Sequence, residues 1–429
     1  MQNYKWDVVF ACSGEYINQQ LAKNTDKYVE SFSYEDDAIK MEGVFGAWEL
    51  SPGGSPNLLQ FKTPITQGVV TVKSINKTCS LDGAIPLLQL QLSFIDGAST
   101  NEKNLTFNCS VVGQSPNDTT SGAVSVINSD TTGVLAHQDP DGLAAALLIP
   151  GLAKCLIANK DKLSFVFASV LLVPPQNSGW LTLKQMVYAY QQHMNNTLGA
   201  LTILGMLTDA DISSQSHVFD TNLLRANDDF GFILSGTQFL TNLILPKLPD
   251  GYKGSNSSQF KIDGNNIVNN GNVNLNEVKV GAIWYPPYIN DLNIHIDSDA
   301  IRTQAAGNCD ITGLTDAYVS FSVTSRNVAQ FDASVPSISF LNDPQKDVTT
   351  SKHIPWWEEV LGVLTLGILN AVVEIVGDYI EDGVSSAVSG TGISAQSMGA
   401  VLVTWPGQNA IKFDDGGLLD NFYMRGQSN

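Results

Sequence analysis

Basic residues are scarce in this 429-residue chain: 23 lysines and arginines face 42 aspartates and glutamates, a formal charge of −19 at pH 7. The mean surface field repels phosphate backbones and anionic headgroups, which argues against a nucleic-acid partner. Cysteine is sparse as well. Cys12, Cys79, Cys109, Cys155 and Cys309 are odd in number and widely scattered, with no CxxC pair. They read as mostly free, buried thiols, with a Cys79–Cys109 bridge as the alternative. The five histidines, His137, His193, His217, His295 and His353, share no ligand spacing, and HExxH, GxSxG and GxxxxGK[ST] are all absent. No catalytic residue, cofactor or metal is therefore assigned, and the chain reads as a non-enzyme.

Short acidic groups occur at Asp139–Gly142 (DPDG), Asp209–Asp211 (DAD) and Asp297–Asp299 (DSD). None has the terminal Glu of a calcium loop, so they read as turns, or as the N-cap of a helix in the DPDG case. The opening MQNYKWDVVFACSGEYINQQLAK lacks a basic segment followed by an apolar core and a cleavage site. The expectation is a protein secreted or released without a recognisable signal peptide, or otherwise cytoplasmic.

Long apolar runs are missing too. The most apolar helical stretch, Trp356 to Ile380, is free of charge only over the 14 residues Val360–Val373. That is ~21 Å of helix against about 30 Å of hydrocarbon, and extending it to span length takes in acidic residues. A transmembrane segment is not expected. Asn370, Glu374 and Asp378 recur every four residues and form one polar stripe on an otherwise apolar helix. Such a helix needs apolar cover on several sides, and a curved sheet is the soluble way to provide it.

The rest of the chain supplies strands. Leu88, Leu90, Leu92 and Phe94 alternate with Gln89, Gln91 and Ser93, and Leu105, Phe107, Cys109 and Val111 alternate with Thr106, Asn108 and Ser110. Each pattern predicts a strand with one buried face. Similar segments begin at Ser164, Lys184, Leu198, Asn293 and Ala317. Helices are predicted near 7–24, 143–160, 232–247 and 355–388, so each half reads as helix, strands, helix, strands. SGEYINQQL from Ser13 and SGTQFLTNLI from Ser235 both place an aromatic-aliphatic pair after Ser-Gly. The expected organisation is two pseudo-repeated halves, 1–228 and 229–429, or alternatively one elongated domain.

Three passages resemble a known family: YKWDVVFACSGEYINQQL near the start, FGAWELSPGGSPNLLQFKTPITQG from Phe45, and FGFILSGTQFLTNLILPKLP from Phe230. They are similar to the clostridial 47-kDa proteins encoded beside botulinum neurotoxin in OrfX-type gene clusters. The likeness covers most of the chain, and the segment from Trp48 through Gly53-Gly54 to Lys62-Thr63-Pro64 is its most specific part. That family looks like the TULIP superfamily of tubular lipid-binding proteins. The resemblance implies an α+β, TULIP-like fold in which long curved antiparallel β-sheets wrap long α-helices, and it implies lipid or another long apolar molecule as ligand.

The resemblance supplies no catalytic motif. Candidate tunnel-wall residues come from pattern alone: Leu361, Leu364, Ile368, Val372 and Ile375 on the fourth helix, and Phe239, Leu240, Leu243 and Ile244 on the third. Trp356 and Trp357 are candidates for a tunnel mouth or a peripheral membrane edge. The function expected is that of a toxin-cluster accessory protein binding lipid or a hydrophobic small molecule. The alternatives are a protein-interaction component engaging other toxin-cluster proteins, and a directly toxic, insecticidal protein.

Overall fold

The computed structural model describes residues 1–174, 179–193, 196–353, 362–388, 393–395, 398–408 and 410–428. The chain forms two compact units. The N-terminal unit comprises Val8–Phe232, Ala400–Lys412 and Gly426–Asn429, and the C-terminal unit comprises Met1–Asp7, Ile233–Gly399 and Phe413–Arg425. Antiparallel sheets dominate both, and helices are few.

In the N-terminal unit the strand Val8–Ser13 pairs antiparallel with Asn196–Met206, which pairs in turn with Gln185–His193. A four-stranded meander follows the chain through Ser31–Glu35, Ile39–Phe45, Ile65–Val72 and Lys77–Ser80. A larger sheet places Leu87–Asp96 beside Ala123–Asn128, Glu102–Asn108 and Leu58–Lys62. The helix Leu143–Ala158 packs on strands of both sheets and buries Leu148, Leu152 and Leu156 along one side. Its N-cap is Gly142, while Asp139 of the DPDG turn accepts the Ala145 amide at 3.1 Å. Trp48, fully buried, is the hub of an aromatic cluster, with Tyr28, Phe45, Phe61 and Phe107 at ring-centroid distances of 5.2 to 6.4 Å.

The alternating strand at 87–96 departs from expectation, because its polar residues are buried along with its leucines. Gln89 is 1 % exposed. Gln91 is also buried and replaces water with protein partners, donating to the Thr119 carbonyl and accepting from the Gly122 amide. A strand flanked on both edges and covered on both faces loses the solvent that period-two patterning presumes.

The C-terminal unit is built on a nine-stranded sheet whose long members are Pro287–Asp297, Ala300–Asp310 and Tyr318–Asp332. The DSD group is the tight turn between the first two, with Ser298 left-handed at φ 57°. The helix Gly362–Ala387 lies on this sheet, against Ala300–Asp310, Tyr318–Asp332 and Asp347–His353. Its ridge of Val372, Val376, Ile380 and Val384 is fully buried at four-residue spacing, and the stripe of Asn370, Glu374 and Asp378 is exposed. Lys346 pairs with Asp378 at 2.7 Å on that outer side. Among the described residues no helix is long and apolar enough to cross a membrane.

Two predicted helices begin later than their patterns suggest. Residues 8–13 and 230–234 are strands, fully buried along their length, and the helices start only after Ser13 and Ser235. Runs such as VVFACS and FGFIL carry β-branched and aromatic residues on every face, which suits a strand covered on both sides. The segment predicted as one helix over 232–247 is broken further, into a helical turn Gly236–Phe239, a π turn Leu240–Ile244 and a 3-10 turn Leu245–Lys247. Thr241 and Asn242 hydrogen-bond back to the carbonyls of Thr237 and Gln238, and Pro246 lacks the amide needed to continue.

Candidate functional site

The predicted wall residues fall into three groups. Phe239, Leu240, Leu243 and Ile244 are buried, and Phe239 stacks on Phe422 with centroids 5.6 Å apart and rings 11° from parallel. Val372 is fully buried against the sheet side and Ile375 is half-buried, while Leu364 and Ile368 belong to the helical backbone of Gly362–Ala387. Leu361, Trp356 and Trp357 lie outside the described residues. The turn Leu248–Gly251, beyond the predicted third helix, packs on the long helix, and a Cβ on Gly251 would collide with the Gly383 carbonyl.

Beneath the long helix the apolar layer contains hydroxyls that the sequence pattern did not mark as functional. Tyr252, Thr303 and Ser325 are fully buried; the Ser325 hydroxyl has no hydrogen-bond partner, and those of Tyr252 and Thr303 have none beyond each other. Thr303 and Ser325 face each other across paired strands. A Cβ added to Gly383 of the long helix would sit 3.0 Å from the Tyr252 hydroxyl, so these groups stand at the helix–sheet junction. Burial pushes the Tyr252 phenol well above its ordinary pKa, with the neighbouring Thr303 hydroxyl opposing part of that rise. Each orphan hydroxyl costs about 1–3 kcal/mol relative to one that is satisfied.

A concavity of about 500 Å³ opens at the entry to the Gly236 helical turn. The strand Phe230–Leu234 ends at Ser235, whose hydroxyl accepts the Gln238 amide at 3.3 Å, and Gly236 donates its amide to Asn421 Oδ1 at 2.8 Å. Helix entry is thus satisfied internally. Asn421 also donates to the Met1 carbonyl, and Asp7 accepts from Gln238 Nε2. Lys5, Asn265, His295 and Asp420 are among the further polar lining residues, with Leu240 and Ile296 as the apolar part. Tyr4, Lys5 and Asp420 all adopt left-handed φ, at 50°, 70° and 64°. Such backbone costs of order 1–3 kcal/mol per residue and persists where surrounding structure fixes it.

All five cysteines are free and buried. Burial raises each thiol pKa, with Cys109 and Cys309 pushed up to about 12. Among the described residues no group of three or more His, Cys, Asp or Glu side chains is placed to hold a metal.

Known proteins share this outline. The family model described as OrfX-like, Protein OrfX2/OrfX3/P47, matches residues 3–421. Protein P47 of Clostridium botulinum (strain Kyoto / Type A2) is 30% identical over 366 residues, covering 82% of this chain and 84% of that protein. The structure of P47 from Clostridium botulinum A2 superposes with a TM-score of 0.81 at 26% identity, covering 100% of this chain and 98% of that one. P47 of Clostridium botulinum E1 gives 0.80 at 24% identity, covering 99% and 100%.

Proposed function

Because the chain belongs to the OrfX/P47 family of botulinum toxin-cluster proteins, we propose that it is a non-enzymatic accessory protein of a toxin system that binds lipid or another long apolar ligand. The binding layer in this reading is TULIP-like, between the Gly362–Ala387 helix and the sheet beneath it. The observation that carries the reading is the set of buried hydroxyls of Tyr252, Thr303 and Ser325 within that apolar layer, incompletely satisfied by the protein itself. A solid core gains nothing from them, since an unpaired buried hydroxyl is worse than a methyl group. A ligand with an apolar body and an acceptor group, such as an ester or a headgroup oxygen, suits both the valine ridge and the hydroxyls.

The test is native mass spectrometry of gently purified protein, followed by organic extraction of whatever is released. A stoichiometric apolar passenger supports the proposal. A clean unliganded mass, repeated after incubation with mixed phospholipid vesicles, moves the assignment to a second reading, a protein-interaction component of a toxin complex. That reading draws on the close packing of Phe239, Leu240, Ile244 and Val372, and on the exposed Ile283 and Trp284 of the hairpin Val278–Tyr285, at 41 % and 51 % exposure.

A further inference from the structure

We infer that the 500 Å³ concavity at the Gly236 turn is a binding site for a neutral carbohydrate, one hexose or a short oligosaccharide. Its volume falls within the range of about 300–1,000 Å³ typical of small-molecule sites. Its chemistry is mixed. Thr237 donates to Asn265 Oδ1 at 2.6 Å, which turns the Asn265 amide nitrogen into a fixed donor for a ligand. His295 holds Nδ1 on Asn293 at 2.8 Å, which orients the ring and offers Nε2 as its second contact. Lys5 adds a cationic donor and Asp420 a carboxylate acceptor.

Donors and acceptors interleaved in this way match vicinal hydroxyls, each of which gives and takes a hydrogen bond. The charge balance disfavours an anion. Asp7 and Asp420 line the concavity against the ammonium of Lys5, so a phosphate would meet more repulsion than attraction. An acyl chain is equally unsuited to walls made mainly of amides, hydroxyls and charged groups. The backbone supports a positioned role for the lining. Of the seven non-glycine residues with positive φ among the described residues, Lys5 and Asp420 line the site, Tyr4 precedes Lys5, and the carbonyl of a fourth, Ser298, receives the Asp420 amide at 3.1 Å. Strained residues held by neighbouring structure cluster at sites that must present side chains in fixed directions.

The test is saturation-transfer-difference NMR of the full-length protein with the methyl glycosides of glucose, galactose, mannose and N-acetylglucosamine, with inorganic phosphate as a separate arm. The expected result is saturable binding of at least one glycoside and at least a ten-fold loss of affinity in Asn265→Ala and in His295→Ala, with melting temperatures unchanged. Should either variant fail to fold, Lys5→Met, altering an exposed side chain, replaces it in the same comparison. No binding of any glycoside to the wild-type protein overturns the inference, as does binding that survives all folded variants. Binding of phosphate in competition with the glycoside overturns the assignment to a neutral ligand.

Discussion

Gly236 stands so close to the carbonyl oxygen of Asp420 that a Cβ added there would lie 2.7 Å from it and 3.1 Å from Ile296 Cδ1. Gly14 stands in the corresponding position after Ser13, where a Cβ would meet the Leu198 carbonyl oxygen at 2.9 Å. In both places a serine caps the helical turn and the glycine after it lies against other backbone, the strand Asn196–Met206 for Gly14 and the turn at Asp420 for Gly236. Gly236→Ala and Gly14→Ala are each expected to destabilise the protein by about 1–3 kcal/mol through overpacking. Gly179→Ala, whose new Cβ would find nothing within 4 Å, is the control and should stay within about 0.5 kcal/mol. Denaturant unfolding with a tryptophan-fluorescence readout decides; equal midpoints for all three variants would contradict the packing argument.

That pair of Ser-Gly junctions was legible in the sequence as a repeated string, although the strand-to-helix switch it marks was not. VVFACS and FGFIL are apolar on all sides, and periodicity does not separate a doubly covered strand from a helix segment. The helix at 143–158 and the strands at 87–96 and 318–332 were readable because their patterns are long, whereas the alternation read over Leu105–Val111 runs past a break: the strand Glu102–Asn108 ends before Cys109, and Val111, expected on the buried face, is exposed. The polar concavity was not. Lys5, Asn265, His295 and Asp420 come from four distant segments, and of their surroundings Asp297–Asp299 was legible only as a turn. The buried hydroxyls of Thr303 and Ser325 were hidden for a related reason, since alternation predicts which face a residue takes but not whether its hydroxyl is fully satisfied.

The cysteines should be chemically silent in the native state. A thiol with its pKa pushed to about 12, as for Cys109 and Cys309, is only roughly one ten-thousandth thiolate at pH 8, and the thiolate is the reactive form. Iodoacetamide at pH 8 is expected to leave the folded protein unlabelled and to add five carbamidomethyl groups once guanidinium unfolds it. Rapid labelling of either of those two residues in the native protein would show that it is not buried as described.

Asp36 ties together the turn between Ser31–Glu35 and Ile39–Phe45. It accepts the Ile39 and Ala38 amides at 3.0 and 2.9 Å, the Tyr34 hydroxyl at 2.9 Å and Lys154 at 3.3 Å. The amide of Ile39 is foremost among the contacts holding its pKa below the ordinary carboxylate value, against the opposing effect of burial. A depressed folded pKa contributes stability that is complete above the unfolded value near 4 and fades as pH falls toward the folded value. Asp36→Asn should therefore cost about 1 kcal/mol at pH 7, and the difference from wild type should shrink below about pH 4. Urea titrations at pH 7, 5 and 3 test this; a difference that grows on acidification would reverse the sign.

Thr303→Val combined with Ser325→Ala separates a ligand-binding layer from a merely imperfect core. Both hydroxyls are fully buried, Ser325 without a partner and Thr303 with only the Tyr252 hydroxyl beside it, so in ligand-free protein their removal relieves a net desolvation penalty and leaves the apolar packing in place. The double variant is expected to gain about 1–3 kcal/mol in the ligand-free state, and to lose most of any passenger retained by the wild type through purification. The two effects have opposite directions, whereas a structural hydroxyl pair already satisfied by ordered water would give lower stability on removal. Unfolding midpoints of delipidated wild-type and variant proteins, measured beside the native mass of each before delipidation, supply both readings. A less stable variant that keeps its passenger would remove these hydroxyls from the binding layer.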